Sequence, residues 1–166
     1  LDIDTLTAGD GANIIFGDQG QLEGSQDTGV ATDGRPISLI RLSTIDALIG
    51  SGDIINTGIN RDIILGGAGG DDIKANEGEG PAVFDASNII VGDHGEITFF
   101  NPLIGTNFPM LVQSRDFKNG GKDKIQSGAG NDLLIGGTDI DLIFGMGGED
   151  LIAGDHLLAD GVNGGL

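Results

Sequence analysis

Four aspartates stand nine residues apart near the end of the chain: Asp123, Asp132, Asp141 and Asp150. Two residues after each comes an aliphatic, namely Ile125, Leu134, Ile143 and Ile152, and glycines crowd the places before it. A fixed period with glycine, aspartate and an aliphatic in constant phase is an internal repeat, and a repeat constrains the fold before anything else does. The register is glycine-glycine-x-glycine-x-aspartate-x-aliphatic-x, which Gly66 to Lys74, GGAGGDDIK, fills at every defined place. Earlier copies are Asp4 with Leu6 and Asn13 with Ile15, then Asp46, Asp53, Asp62 and Asp71 followed by Leu48, Ile55, Ile64 and Ile73, and Asn88 with Ile90. Asp46 and Asp53 are seven apart, so one turn is expected to be short.

Two stretches break the period. Residues 21–44 hold turn formers and then ISLIRL, a β-prone run, and read as a loop or hairpin inserted on the array. Residues 96–118 hold two strand-like runs, Ile97 to Phe100 and Met110 to Gln113, around a proline- and glycine-bearing turn. A longer repeat overlies the short one. NIIFGDQG at Asn13 matches NIIVGDHG at Asn88, and Asp150 to His156 is a weaker third copy. An insert follows each of the first two, so the chain reads as a few units of a longer array. Leu1 is not an initiator methionine, which fits a fragment.

Glycine is 32 of 166 residues, far above the usual share of about 7 %. No triplet period accompanies it, so the glycines serve turns. Tryptophan and tyrosine are absent, which an array with a narrow interior of stacked aliphatics tolerates. The formal charge is -18, and such a chain repels itself unless cations neutralise it. Eight basic residues scattered among 26 acidic ones form no basic patch, so nucleic acid is not the expected partner. Without cysteine there is neither a disulfide scaffold nor a thiolate metal site. No apolar run approaches the roughly 20 residues that span a bilayer.

The nonapeptide resembles that of the RTX (hemolysin-type) calcium-binding family. The resemblance implies a parallel β-roll, a calcium-binding solenoid with inserted loops or hairpins, as one module over residues 1–166. Each nonapeptide makes a turn and a short strand in that family, and two make a coil. Asp123 should then stack on Asp141, Asp132 on Asp150, and Asp53 on Asp71 with Asp62 opposite. The implied calcium ligands are Asp4, Asn13, Asp46, Asp53, Asp62, Asp71, Asn88, Asp123, Asp132, Asp141 and Asp150. The residue types suit the metal, which takes six to eight oxygens from carboxylates and carbonyls. Asparagine can ligate too, but brings no charge. Three residues replace the pattern's glycines, Ser127 at the first place, Met146 at the second and Asp139 at the third, and are expected to alter or remove the sites they touch. Asp18, Asp93 and Asp155 occupy the second glycine place of the following repeat, either as further ligands or as caps before each insert.

No nucleophile elbow, HExxH or P-loop is present, and no catalytic residue is assigned. His94 and His156 follow Asp93 and Asp155 in one repeat phase and read as solvent-facing turn residues. Phe99, Phe100, Phe108 and Phe117 gather about the second insert, as an apolar cap or as a partner-binding patch. The resemblance implies a structural module of a large secreted or cell-surface bacterial protein of adhesin, surface-layer, matrix or filament type. Such proteins are exported unfolded by type I secretion and fold on extracellular calcium. The alternative is the accessory roll of a secreted hydrolase or toxin whose catalytic domain lies elsewhere. Leu133, Leu142 and Leu151 flank the inward aliphatics on the outer face. They are expected either to support self-association or to lie under an insert.

Overall fold

A computed structural model describes residues 2–26, 37–79, 86–99 and 109–160. Within these the chain is all-β, with fifteen strands numbered in chain order. Sheet I stacks β1 (Thr5–Thr7), β5 (Ile54–Asn56), β7 (Asp72–Lys74), β11 (Lys124–Gln126) and β13 (Leu142–Phe144) in that order. Sheet II stacks β2 (Ile14–Phe16), β6 (Ile63–Leu65), β8 (Ile89–Val91), β12 (Leu133–Ile135) and β14 (Leu151–Ala153). Every pairing in these two sheets is parallel and keeps the nonapeptide phase, so Ile55 pairs with Ile73 and Leu134 with Ile152. The chain alternates between the two sheets at each turn. The period, not sequence proximity, sets the register: Leu6 lies beside Ile55 and Ile73 beside Ile125 across intervening inserts.

The third sheet is antiparallel. β3 (Gly20–Gln26) pairs with β4 (Ile37–Thr44), and β9 (Gly95–Phe99) with β10 (Pro109–Ser114). β4 then pairs with β9, and β15 (Leu158–Asp160) adds to β10, giving the order β15-β10-β9-β4-β3. The aperiodic stretches are thus hairpins that leave after β2 and β8 and join one another. β15 leaves in the same way after β14, in the position of the third copy of the longer repeat.

Two cores result, and strand alternation separates them. The residues two after each Asp or Asn point between sheets I and II: Ile55, Ile64, Ile73, Ile90, Ile125 and Leu134 are fully buried there. At roughly 1.5–3 kcal/mol per buried aliphatic, this column is the main stabilising term of the two-sheet array. The other faces of the sheet II strands, with Ile63, Leu65, Ile89, Val91 and Ile135, pack under sheet III against Leu39, Leu42, Ile97, Phe99 and Val112. Over β6, β8 and β12 sheet II is therefore covered on both faces, while Leu151 and Ile152 of the end strand β14 are exposed; its strands are wholly apolar, IIF, IIL, IIV, LLI and LIA. Buried parallel strands characteristically read this way. Sheet I has one free face, and its middle strands alternate, as DIK and KIQ.

The outer leucines divide accordingly. Leu133 packs against the core beneath sheet III, whereas Leu142 lies on the free face of sheet I and is 52 % exposed. Phe99 belongs to the sheet II–sheet III core, and Phe117 is exposed with its ring edge-on to His156. Phe100 and Phe108 fall outside the described residues.

The turns explain the glycines. In the turn Gly66 to Gly70 the second and fourth places take positive φ, at Gly67 (115°) and Gly69 (90°), a region that costs a side chain energy. Met146 at a second place and Asp139 at a fourth adopt it without glycine, at φ 65° and 74°. Those departures leave the turn shape intact.

Candidate metal centre

The predicted ligands fall into two columns. One precedes the sheet I strands: Asp4, Asp53, Asp71, Asp123 and Asp141. The other precedes the sheet II strands: Asn13, Asp62, Asn88, Asp132 and Asp150. Hydrogen bonds link each column from end to end. In the first, the Asp4 N–H donates to Asp53 Oδ1 (2.8 Å), Asp53 N–H to Asp71 Oδ1 (2.6 Å), Asp71 N–H to Asp123 Oδ1 (2.8 Å) and Asp123 N–H to Asp141 Oδ1 (2.9 Å). In the second, the same bond runs from Asn13 to Asp62, Asp62 to Asn88, Asn88 to Asp132 and Asp132 to Asp150.

Asp46 joins neither column. The segment after β4 is a turn closed by the Ile49 N–H on the Asp46 carbonyl, and Asp46 is exposed at φ 54°. Leu48, its apparent aliphatic, is 83 % exposed. The chain there returns from sheet III to the array, so the short spacing reflects a reconnecting loop and not a short turn of the repeat.

The bond to Oδ1 leaves the second oxygen. Oδ2 of Asp53, Asp71, Asp123 and Asp141 is buried and accepts no hydrogen bond. Each faces a glycine at the first place of its turn, where a Cβ would collide with it. Gly17 faces Asp53 Oδ2 and the Gly66 carbonyl, Gly66 faces Asp71 Oδ2 and the Gly92 carbonyl, Gly92 faces Asp123 Oδ2 and the Gly136 carbonyl, and Gly136 faces Asp141 Oδ2 and the Gly154 carbonyl. The result is a repeated cradle in which a carboxylate oxygen that accepts no hydrogen bond lies beside a peptide oxygen, and each peptide oxygen already accepts one backbone N–H, from Asp18, Gly67, Asp93 or Gly137. Hard oxygens of this kind suit calcium or magnesium. Among the described residues no group of three or more His, Cys, Asp or Glu converges as a metal cluster, so carboxylates alone do not form the cradle.

The asparagines show what such a gap takes. Asn88 Nδ2 donates to the Ser127 carbonyl (2.9 Å), and Asn13 Nδ2 to the carbonyls of Gly9 and Gly11 (2.9 Å each). An amide supplies its own positive partner to the turn carbonyls, and a carboxylate has none to offer.

Burial dominates the electrostatics of the first column. It pushes the Asp71 carboxyl up to about 8, helped by the charges of Asp53, Asp18 and Asp93 and opposed by the Asp53 N–H. It pushes Asp123 up to about 9, with Asp93, Asp71 and Asp141 adding to the rise. Asp53 and Asp141 are raised by the same cause. Carboxyls that resist ionisation next to one another are groups that a divalent cation stabilises.

Asp18 and Asp93 act as caps. Asp93 Oδ1 accepts the Gly121 N–H (2.8 Å) and its Oδ2 the Thr138 N–H, and Asp18 Oδ2 accepts the Ala68 N–H (2.6 Å). Where a hairpin interrupts a turn, the aspartate bonds to the far side and closes it. Asp155 is exposed. His94 is not a solvent-facing residue: it is 2 % exposed, and its burial lowers the imidazole pKa. The hairpins fold over that turn and remove it from water. The RTX resemblance implies that the glycine-rich half of each turn offers carbonyls to the ion, and the glycine carbonyls that lie beside the first column are those of Gly66, Gly92, Gly136 and Gly154.

No protein-family model matches this chain, and neither a curated protein nor a solved structure matches it. Among the described residues no helix is long and apolar enough to cross a membrane.

Proposed function

We propose that the chain is a calcium-binding structural module, a parallel β-roll of the RTX type from a large secreted or cell-surface protein, which folds as it takes up calcium. One observation carries this reading: buried carboxylate oxygens that accept no hydrogen bond recur along the array, and those of the first column lie beside glycine carbonyls. Such oxygens are costly to desolvate alone and are satisfied by a cation of their own size class. The aliphatic column supplies the apolar stabilisation, while the glycine-rich turns carry a large entropy cost on ordering. Binding free energy then becomes folding free energy, because the cradles do not exist in the unfolded chain. An affinity on the order of 10⁻⁴–10⁻³ M is typical of extracellular calcium modules and would keep the chain unfolded until export.

Circular dichroism tests it. In EDTA at pH 7.5 the spectrum should be largely disordered, and millimolar calcium should restore a β spectrum. Magnesium, which holds its waters and demands tighter geometry, should do so poorly. A chain equally folded in EDTA and in calcium contradicts the reading.

A further inference from the structure

We infer that the two columns are cation sites of unequal strength, and that the column before sheet I fills first and sets the calcium requirement for folding. The inference rests on the calcium reading and concerns how the sites divide.

Three independent features separate the columns. The first is charge. Each step of the column from Asp4 through Asp53, Asp71 and Asp123 to Asp141 joins two aspartates. In the other column Asn13 or Asn88 is one partner in every step but the last. An ion shared between neighbouring turns therefore meets two carboxylates on one edge and one on the other, and calcium affinity follows ligand charge. The second is space. The first place of the turn is Gly17, Gly66, Gly92 and Gly136 beside the first column. Beside the second it is Ala8, Thr57, Ala75 and Ser127, with Gly145 the exception at the last turn. Thr57, Ala75 and Ser127 are fully buried, so each brings a side chain into the interior at the place where the other edge has none, and the Ser127 hydroxyl donates to the Gly145 carbonyl (3.2 Å). The third is competition. The amides of Asn13 and Asn88 already donate to turn carbonyls that a cation would need.

Asparagine in place of aspartate keeps the Oδ1 acceptor that links neighbouring turns, as Asn88 does for the Asp62 N–H. The substitution therefore removes charge and leaves the ladder in place. Asp71→Asn should raise the calcium midpoint of folding by about tenfold, and Asp62→Asn by less than about threefold. Asn88→Asp should lower the midpoint, because it returns a second carboxylate to two steps. Equilibrium dialysis of the unaltered chain supplies a readout independent of any variant. Calcium bound at the completion of folding should be exceeded at tenfold higher free calcium, as the weaker column fills. Equal midpoint shifts for Asp71→Asn and Asp62→Asn, or a stoichiometry already complete when folding is complete, would overturn the inference while leaving calcium-dependent folding intact. No calcium uptake at all would remove both.

Discussion

Replacing Asp123 with Asn should have opposite effects with and without metal. The Asp123 carboxyl is 2 % exposed, and burial displaces it from 3.8 to about 9. An unfolded chain at pH 7 carries this group ionised. Folding without metal must therefore take up a proton, against a cost on the order of 4 kcal/mol. Asp71, displaced to about 8, adds a cost of similar size. Two such groups consume much of the roughly 5–15 kcal/mol by which a domain of this size is stable. The amide of Asn carries no charge, keeps the Oδ1 acceptor for Asp71, and can donate to a turn carbonyl as Asn88 does. In EDTA at pH 7 the Asp123→Asn chain should hence be the more structured, by far-UV circular dichroism and by urea midpoint. In calcium the order should reverse, because a charged ligand has gone from a cradle that includes the Gly136 carbonyl. If the variant were no more structured than the parent in EDTA, the electrostatic argument would fail. If it kept the parent's calcium response, the ligand assignment would fail.

The metal-free chain should also respond to acid in the unusual direction. Asp53, Asp71, Asp93, Asp123 and Asp141 all have raised folded-state pKa values, with Asp93 near 7. The folded chain therefore holds protons that the unfolded chain releases, and stability falls as pH climbs from about 4 through about 9. Denaturation in EDTA should show more structure at pH 5 than at pH 8, and calcium should flatten the difference; a metal-free chain that gains stability with rising pH would contradict the assignment. The two outer leucines should also separate. Leu133→Ser should destabilise the calcium form by about 1–3 kcal/mol through the core under sheet III, and Leu142→Ser by no more than about 0.5 kcal/mol. Equal urea midpoints for the two variants would mean that sheet III does not cover sheet II. Self-association through the free face of sheet I is checked in the same samples by sedimentation, where Leu142→Ser should weaken any oligomer that this face holds together.

The nine-residue period was enough to place ten of the eleven proposed ligands, since strict phase leaves one stacking that keeps every aliphatic inward. It failed at Asp46, where aspartate and leucine fall in phase by coincidence on a reconnecting loop. Local sequence cannot show that Asp46 lacks a neighbour above and below, because stacking partners lie as many as 52 residues away. The division into two unlike columns was written in the alternation of Asp with Asn and of glycine with Ala, Thr and Ser. It acquired meaning only once the turns were assigned to edges. The third sheet was the least legible. The inserts read as hairpins, but nothing in their own residues says that they pair with each other or lie over sheet II. The signal sat in the partner: strands such as IIL, IIV and LLI are apolar on both faces, which only a second cover explains. Periodicity is a local property and fixes which way each residue points. What covers an outward face depends on contacts between distant segments, and tertiary packing alone decides it.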